Sequence, residues 1–127
     1  MHRQNLSKSP LSQTRGSHGE LLAQKYLQNN GYTILEMNWH QRWAEIDIVA
    51  VDHDTLVIVE VKTRYSHEHG LPEESITPHK LHSLERSALL YKQLHTELPD
   101  ALRIDFVGID FSHGAIPQIN LIKNVST

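Results

Sequence analysis

Glu45-Ile46-Asp47-Ile48-Val49 and Val59-Glu60-Val61-Lys62 are the two stretches whose reading decides the fold. Both read as strands rich in Ile and Val, yet both carry charge in their interiors. An unpaired carboxylate in such a setting costs several kcal/mol or shifts its pKa until it neutralises. Two acids and one lysine at alternating parity therefore suggest a divalent cation and a phosphate. Between the stretches, Asp52-His53-Asp54-Thr55 is the strongest turn signal in the chain. A two-residue turn at His53-Asp54 sets Asp47 opposite Glu60 and Glu45 opposite Lys62. Opposed residues on one face of a hairpin hold their Cβ atoms ~4.5–5.5 Å apart, near enough for two carboxylates to share one cation. The other face reads Ile46, Ile48 and Ala50 against Val61, Val59 and Val57, uniformly apolar. Val49, Val51, Leu56 and Ile58 extend the acidic face with apolar residues, so charge collects at the end away from the turn. Without a cation, one of two opposed carboxylates must keep a proton.

At 127 residues the chain has room for one domain, expected over residues 16–127. It has no cysteine, which excludes a disulfide framework and a thiolate metal site. No apolar run approaches the ~20 residues that span a membrane, and nothing resembles a signal peptide, so no membrane partner and a cytoplasmic location are expected. The net charge of −3 does not by itself mark a nucleic-acid binder. Its distribution is uneven: Arg3, Lys8 and Arg15 stand in residues 1–15 without an acid, leaving −6 on the remainder. That arm, rich in Ser, Gln and Asn, is expected to be disordered, and its charge reads most simply as solubilising.

Residues 17–30 read as a helix, capped by Ser17 and ended by Asn29-Asn30-Gly31. Residues 32–40 read as an edge strand or first hairpin arm, and strands follow at 45–51 and 56–63. The polar stretch 65–75 reads as an exposed loop. Thr77-Pro78 opens a helix reaching residue 97, with Leu81, Leu84, Ala88, Tyr91 and Leu94 at helical spacing. Strands at 102–110 and 116–122 are joined by Ser112-His113-Gly114. The order helix, three strands, helix, strand, strand predicts an α/β fold with a sheet flanked by helices.

An αβββαβ order with Asp47, twelve residues, then Glu60-x-Lys62 resembles the restriction-endonuclease-like three-layer core and its PD-(D/E)xK nucleases. A closer likeness rests on Gly19-Glu20, Ala23, Tyr26-Leu27, Gly31-Tyr32, Asn38, Glu45-Ile46-Asp47, Val59-Glu60-Val61-Lys62-Thr63-Arg64, Gly70, Lys80 and Arg103-x-Asp105-Phe106-Val107. Over residues 16–110 these blocks resemble the bacterial YraN-like family, uncharacterised proteins predicted to be endonucleases and distantly similar to archaeal Holliday-junction resolvases. Ile46 stands where the nuclease motif has proline, Trp43-Ala44 where the family has an aromatic followed by glycine, and Ile104 where phenylalanine is common.

The resemblance implies hydrolysis of DNA phosphodiesters, branched DNA and junctions among the substrates, with Mg²⁺ or Mn²⁺ held by Asp47, Glu60 and the Val61 carbonyl. Lys62, two residues past Glu60 on the same face, would orient or deprotonate the attacking water or stabilise charge on the phosphate. The likeness to resolvases also implies a homodimer, although no dimer surface is marked in the sequence. Several residues keep two readings. For the acidic set the other reading is a strand-end group of ion pairs, Glu45 with Lys62 and Asp47 with Arg64 or Arg42. Glu20 is a helix cap in the pattern Ser17-x-x-Glu20, or, by the resemblance, a metal ligand. Lys80, in a first helical turn where the macrodipole disfavours a cation, is a phosphate contact or an exposed lysine. Arg64 touches a substrate backbone or pairs with an acid, while Arg103 is expected to pair with Asp105 or a neighbour and support the sheet. Trp39, Trp43 and Tyr65 read as core aromatics or as platforms for unpaired bases. His67-x-His69 and His79-x-x-His82 have ligand-like spacing, but no third ligand is placed nearby, so they read as solvated. The main alternative to a nuclease is a nucleic-acid-binding module of the same fold with little catalysis; a protein-interaction scaffold is a third.

Overall fold

The computed structural model describes residues 18–125; the arm expected at residues 1–15 and the Ser17 cap lie outside them. Helix α1 (His18–Asn29) stops where Gly31 takes a φ of 91°, a left-handed turn that suits a residue without Cβ. Strands β1 (Thr33–Gln41), β2 (Ala44–Asp52) and β3 (Thr55–Arg64) follow as two consecutive antiparallel hairpins. The His53-Asp54 turn closes the second hairpin, with Asp52 paired to Thr55, Ala50 to Val57 and Ile48 to Val59. This is the register that a two-residue turn imposes. A 3-10 helix (Pro72–Ser75) and helix α2 (Pro78–Leu94) lead to β4 (Ala101–Asp110), parallel to β3, and β5 (Gln118–Ile122) returns antiparallel on β4. The result is an α/β architecture: two helices and a five-stranded mixed sheet in the order β1-β2-β3-β4-β5.

Thr77 caps α2, its Oγ1 accepting the Lys80 N–H at 3.1 Å, and Pro78 occupies the first turn, where its missing N–H costs nothing. The helix ends at Leu94, short of the expected residue 97. His95 leaves helical geometry at φ −132°, and its Nδ1 lies 2.9 Å from the Tyr91 carbonyl, which the helix end would otherwise leave without a partner. The loop expected at 65–75 is exposed only in part, because Pro72 of the 3-10 helix is buried. Gly108 makes this possible: a Cβ there would stand 2.9 Å from the Pro72 Cβ.

The sheet is apolar on both faces. Ala23 and Leu27 of α1 pack against Ile48, Ala50, Val57, Val59, Val107 and Ile109. Leu84, Ala88 and Tyr91 of α2 pack against Trp39, Val49, Leu56, Ile58 and Ile104. Trp39 is thus a core residue, its ring edge-on to Tyr91 at 5.0 Å. One expectation is corrected. Ile46 belongs to the α2 side, although Ile48, two residues away, belongs to the α1 side. In β1 the same reversal separates Trp39 from Met37, and the register pairs Trp39 with Ile46 and Met37 with Ile48. Between them stand Asn38, at a left-handed φ of 54°, and Asp47. One left-handed residue turns β1 over, and β2 turns over with it.

Arg103 is a support for the sheet. Its Nε donates to Asp105 Oδ1 at 2.9 Å, while Nη2 donates to Asp105 Oδ2 at 3.0 Å and to Asp52 Oδ2 at 2.7 Å. Asp105 is fully buried and also accepts from the Tyr32 hydroxyl (2.6 Å) and the Asn124 N–H (2.9 Å). The Arg103 guanidinium holds the Asp52 carboxyl down to about 2. Among the described residues no helix is long and apolar enough to cross a membrane.

Removing the guanidinium while keeping the side-chain volume leaves Asp105 buried without its cationic partner. Arg103→Met is expected to destabilise the fold by about 3–5 kcal/mol, read from urea unfolding at neutral pH. Because the Asp52 pKa is depressed, its contribution is present above about pH 4 and fades as pH falls towards about 2. Arg103→Met should remove that acid-side loss.

Candidate functional site

The pairing of β2 with β3 ends at Ile48 and Val59. Continued in register, the ladder would join Ile46 to Val61. Instead the Val61 N–H donates to Asp47 Oδ2 at 2.8 Å, so a side chain stands where a backbone carbonyl would be. The two strands part here, and the carboxylate satisfies the donor that parting exposes. In an extended residue the N–H and C=O point to the same side, which turns the Val61 carbonyl into this gap. Glu60 stands next to Asp47 across it. Burial, then the neighbouring Glu60 charge, push the Asp47 carboxyl up to about 7, against the pull of the Val61 N–H and of Lys80. Without metal, the pair therefore keeps a proton into the neutral range.

Glu45 is not opposite Lys62, which corrects the extended register. It is exposed and pairs across β1 with His40, because β2 has already left β3. The ion pairs weighed from sequence do not form. Arg64 Nη2 donates to the His69 carbonyl at 3.4 Å, and the cation that reaches the acids comes from α2: Lys80 Nζ lies 3.3 Å from Glu60 Oε2. Lys80 belongs to the first helical turn, so its stem points from the N-terminus of α2 down to the sheet. Lys62 is half-buried and forms no ion pair among the described residues. Glu20, half-buried, is carried to this end of the sheet by Gly19, packed so closely on β3 that a Cβ would collide with Thr63 Oγ1. It approaches from the α1 face, opposite the face that carries Lys80. Arg103 lies elsewhere, in the buried network with Asp105 and Asp52.

Beside the acids a groove of about 230 Å³ runs between the β1–β2 turn and α2, lined by Trp43, Glu45, Lys80, Ser83, Leu84 and Ser87. Trp43 is 55% exposed, and the Arg86 guanidinium carbon lies 4.4 Å from its ring centroid. Sequence reading named Trp43 and Lys80 but missed Ser83, Ser87 and Arg86. The signal was there: Lys80, Ser83 and Ser87 recur at helical spacing, small polar residues beside the apolar stripe. Tyr65 is turned the other way, stacked on Phe111 at 5.1 Å.

This donor set suits a hard divalent cation: two carboxylates and a backbone carbonyl, all oxygen, with the Asp47 carboxyl pushed up by burial and the neighbouring Glu60. The Lys80 ammonium stands at Glu60, and Lys62 lies two residues further along the same strand.

Comparison with known proteins places the chain among relatives of similar length. Residues 19–109 match the model of the family described as uncharacterised protein family UPF0102. A UPF0102 protein of Geobacter metallireducens is 44% identical over 109 residues, covering 86% of this chain and 88% of the relative. One from Syntrophomonas wolfei is 42% identical over 109 residues, covering 86% and 94%. A third, from Dehalococcoides mccartyi, is 44% identical, covering 86% and 89%.

The raised Asp47 pKa makes the metal-free protein lose stability as pH rises. Protonation of the folded carboxyl stabilises fully below the unfolded value of 3.8, and that contribution is lost as pH passes about 7. Urea midpoints in a chelator should fall from about pH 5 to about pH 8 for the wild type. Asp47→Asn, which mimics the protonated acid, should flatten that fall.

Proposed function

This chain belongs to the uncharacterised protein family UPF0102, and we propose that it is a Mg²⁺- or Mn²⁺-dependent nuclease of restriction-endonuclease-like fold that hydrolyses DNA phosphodiesters, branched DNA among its substrates. The YraN-like family that the sequence resembles is this family. The observation that carries the proposal is the meeting of Asp47 and Glu60 at the point where β2 parts from β3, with the half-buried Lys62 on the next position of the same face. Nothing in the packing of an apolar sheet requires two adjacent acids to share a proton. A divalent cation resolves that repulsion, and the αβββαβ order is the one in which nucleases of this fold set their acids.

In this reading Asp47, Glu60 and the Val61 carbonyl would hold the cation. Its chemistry when bound is to polarise the phosphate and lower the pKa of water. The Val61 N–H fixes the Asp47 carboxylate by occupying Oδ2, which leaves Oδ1 for the cation. Lys62 aligns the attacking water or meets charge developing on the phosphate. Lys80, paired with Glu60 in the metal-free protein, would be available to the substrate backbone with a cation bound, and Trp43, in the groove lining, offers an exposed ring to an unstacked base. A cytoplasmic location and a homodimer acting on symmetric junctions belong to the same proposal.

The Lys80–Glu60 ion pair favours the alternative, a nucleic-acid-binding module with little catalysis, because an ammonium already offsets one of the two acids. Calorimetric titration of Mn²⁺ at neutral pH separates the two. The nuclease reading expects binding in the wild type that is lost in Asp47→Asn of verified fold. It further expects nicking of supercoiled or junction DNA that drops ~10²-fold or more in Lys62→Ala and Asp47→Asn while DNA binding persists. Cleavage unchanged in both variants would overturn it, and metal-independent DNA binding without turnover would favour the module.

A further inference from the structure

We propose that His67, Asp110 and His113 form a second metal site, selective for a divalent transition ion such as Zn²⁺ and independent of the Asp47–Glu60 pair. The potential ligand atoms of these three side chains all lie within 4.8 Å of one another. Zn–N and Zn–O bonds of ~2.0–2.2 Å set tetrahedral ligand atoms roughly 3.3 Å apart, so the cluster needs only small side-chain rotations to close on an ion. His67 Nε2 is 2.8 Å from Asp110 Oδ2, and the His67 and His113 rings meet edge to face at 5.7 Å between centroids.

The three residues come from two distant segments, and the backbone around them is held in place. Asp110 ends β4 and is buried; His67 lies in the loop after β3; His113 lies in the turn before β5. The Phe111 N–H donates to the Arg64 carbonyl at 2.8 Å, and Tyr65 stacks on Phe111 with an interplanar angle of 5°, so both histidine-bearing loops are pinned within a few residues of their ligands. The Ser112 N–H donates to Asp110 Oδ1 at 2.9 Å and leaves Oδ2 aimed at His67. Arg64, the register partner of Asp110, turns its Nη2 to the His69 carbonyl and leaves the acid to His67. Such outer contacts are those that orient metal ligands.

A hydrolytic triad is excluded by the geometry. Ser112 Oγ, 2.8 Å from His67 Nε2, meets the same nitrogen that faces Asp110, so the imidazole cannot relay a proton from one to the other. Two imidazoles and one carboxylate, with water in the fourth position, are instead a donor set that takes Zn²⁺ and its neighbours, whereas the all-oxygen set at Asp47 and Glu60 takes Mg²⁺ or Mn²⁺. The ion would also tie the loop after β3 to the β4–β5 turn.

The test titrates ZnCl₂ into the full chain by calorimetry and records visible spectra with Co²⁺ as the probe. About one equivalent should bind, with the intense visible bands of a tetrahedral site. Affinity should fall at least ~10-fold in His67→Ala and in His113→Ala, both exposed and so expected to fold, and persist in Asp47→Asn. No Zn²⁺ binding, binding unaffected by both histidine variants, or binding lost in Asp47→Asn would overturn the proposal. The histidine variants and Asp47→Asn read the two metal sites separately, so failure here leaves the nuclease reading standing.

Discussion

The parting of β2 from β3 is the constraint on which the rest of the site depends. Two central strands cannot separate inside an apolar sheet without exposing backbone donors and acceptors, each of which costs free energy if left unmade. Here the Asp47 carboxylate takes the Val61 N–H at 2.8 Å. That bond closes the ladder with an ionisable side chain instead of a carbonyl, and so brings a carboxyl group to the floor of the gap. The left-handed Asn38 next door lets β1 and β2 change faces together, so that Ile46 and Trp39 still find a core. The break in the sheet is therefore accommodated by its neighbours, and the polar gap persists beside an otherwise well-packed interior.

The molecule meets the problem of the buried acid in two different ways. Asp105 is matched by the planar fork of Arg103, the Tyr32 hydroxyl and a backbone N–H, leaving it neither room nor need for another partner. Asp47 has one N–H and a second acid for company, and its carboxyl rises to about 7. Asp105 is fully buried and Asp47 half-buried. The first arrangement is complete as it stands and belongs to structure; the second is complete only with added positive charge, which is why it reads as a place for chemistry.

Much of this was legible along the chain. The hairpin register followed from the two-residue turn and held from Asp52–Thr55 to Ile48–Val59. The helices were marked by spacing and by the Thr77-Pro78 start, and the pairing of Arg103 with Asp105 by their shared face. What escaped were the consequences of local backbone geometry. Extending the register to Glu45 and Lys62 failed because parity carries no sign of a strand that turns over. Lys80 was named from its odd position in a first helical turn, but its length of reach to Glu60 depends on how α2 sits across the sheet.

The residues by themselves determined that two acids and a lysine lie in the strands flanking one tight turn, because alternation and turn chemistry are local and act over a few residues. They also determined family membership, since the matching blocks run through most of the chain. Only the tertiary structure decided where the ladder breaks, that Lys80 pairs with Glu60, and that His67 meets Asp110 and His113 across more than forty residues of chain. Those outcomes depend on helix placement, strand parting and loop anchoring, and packing between distant segments sets them where no local spacing can.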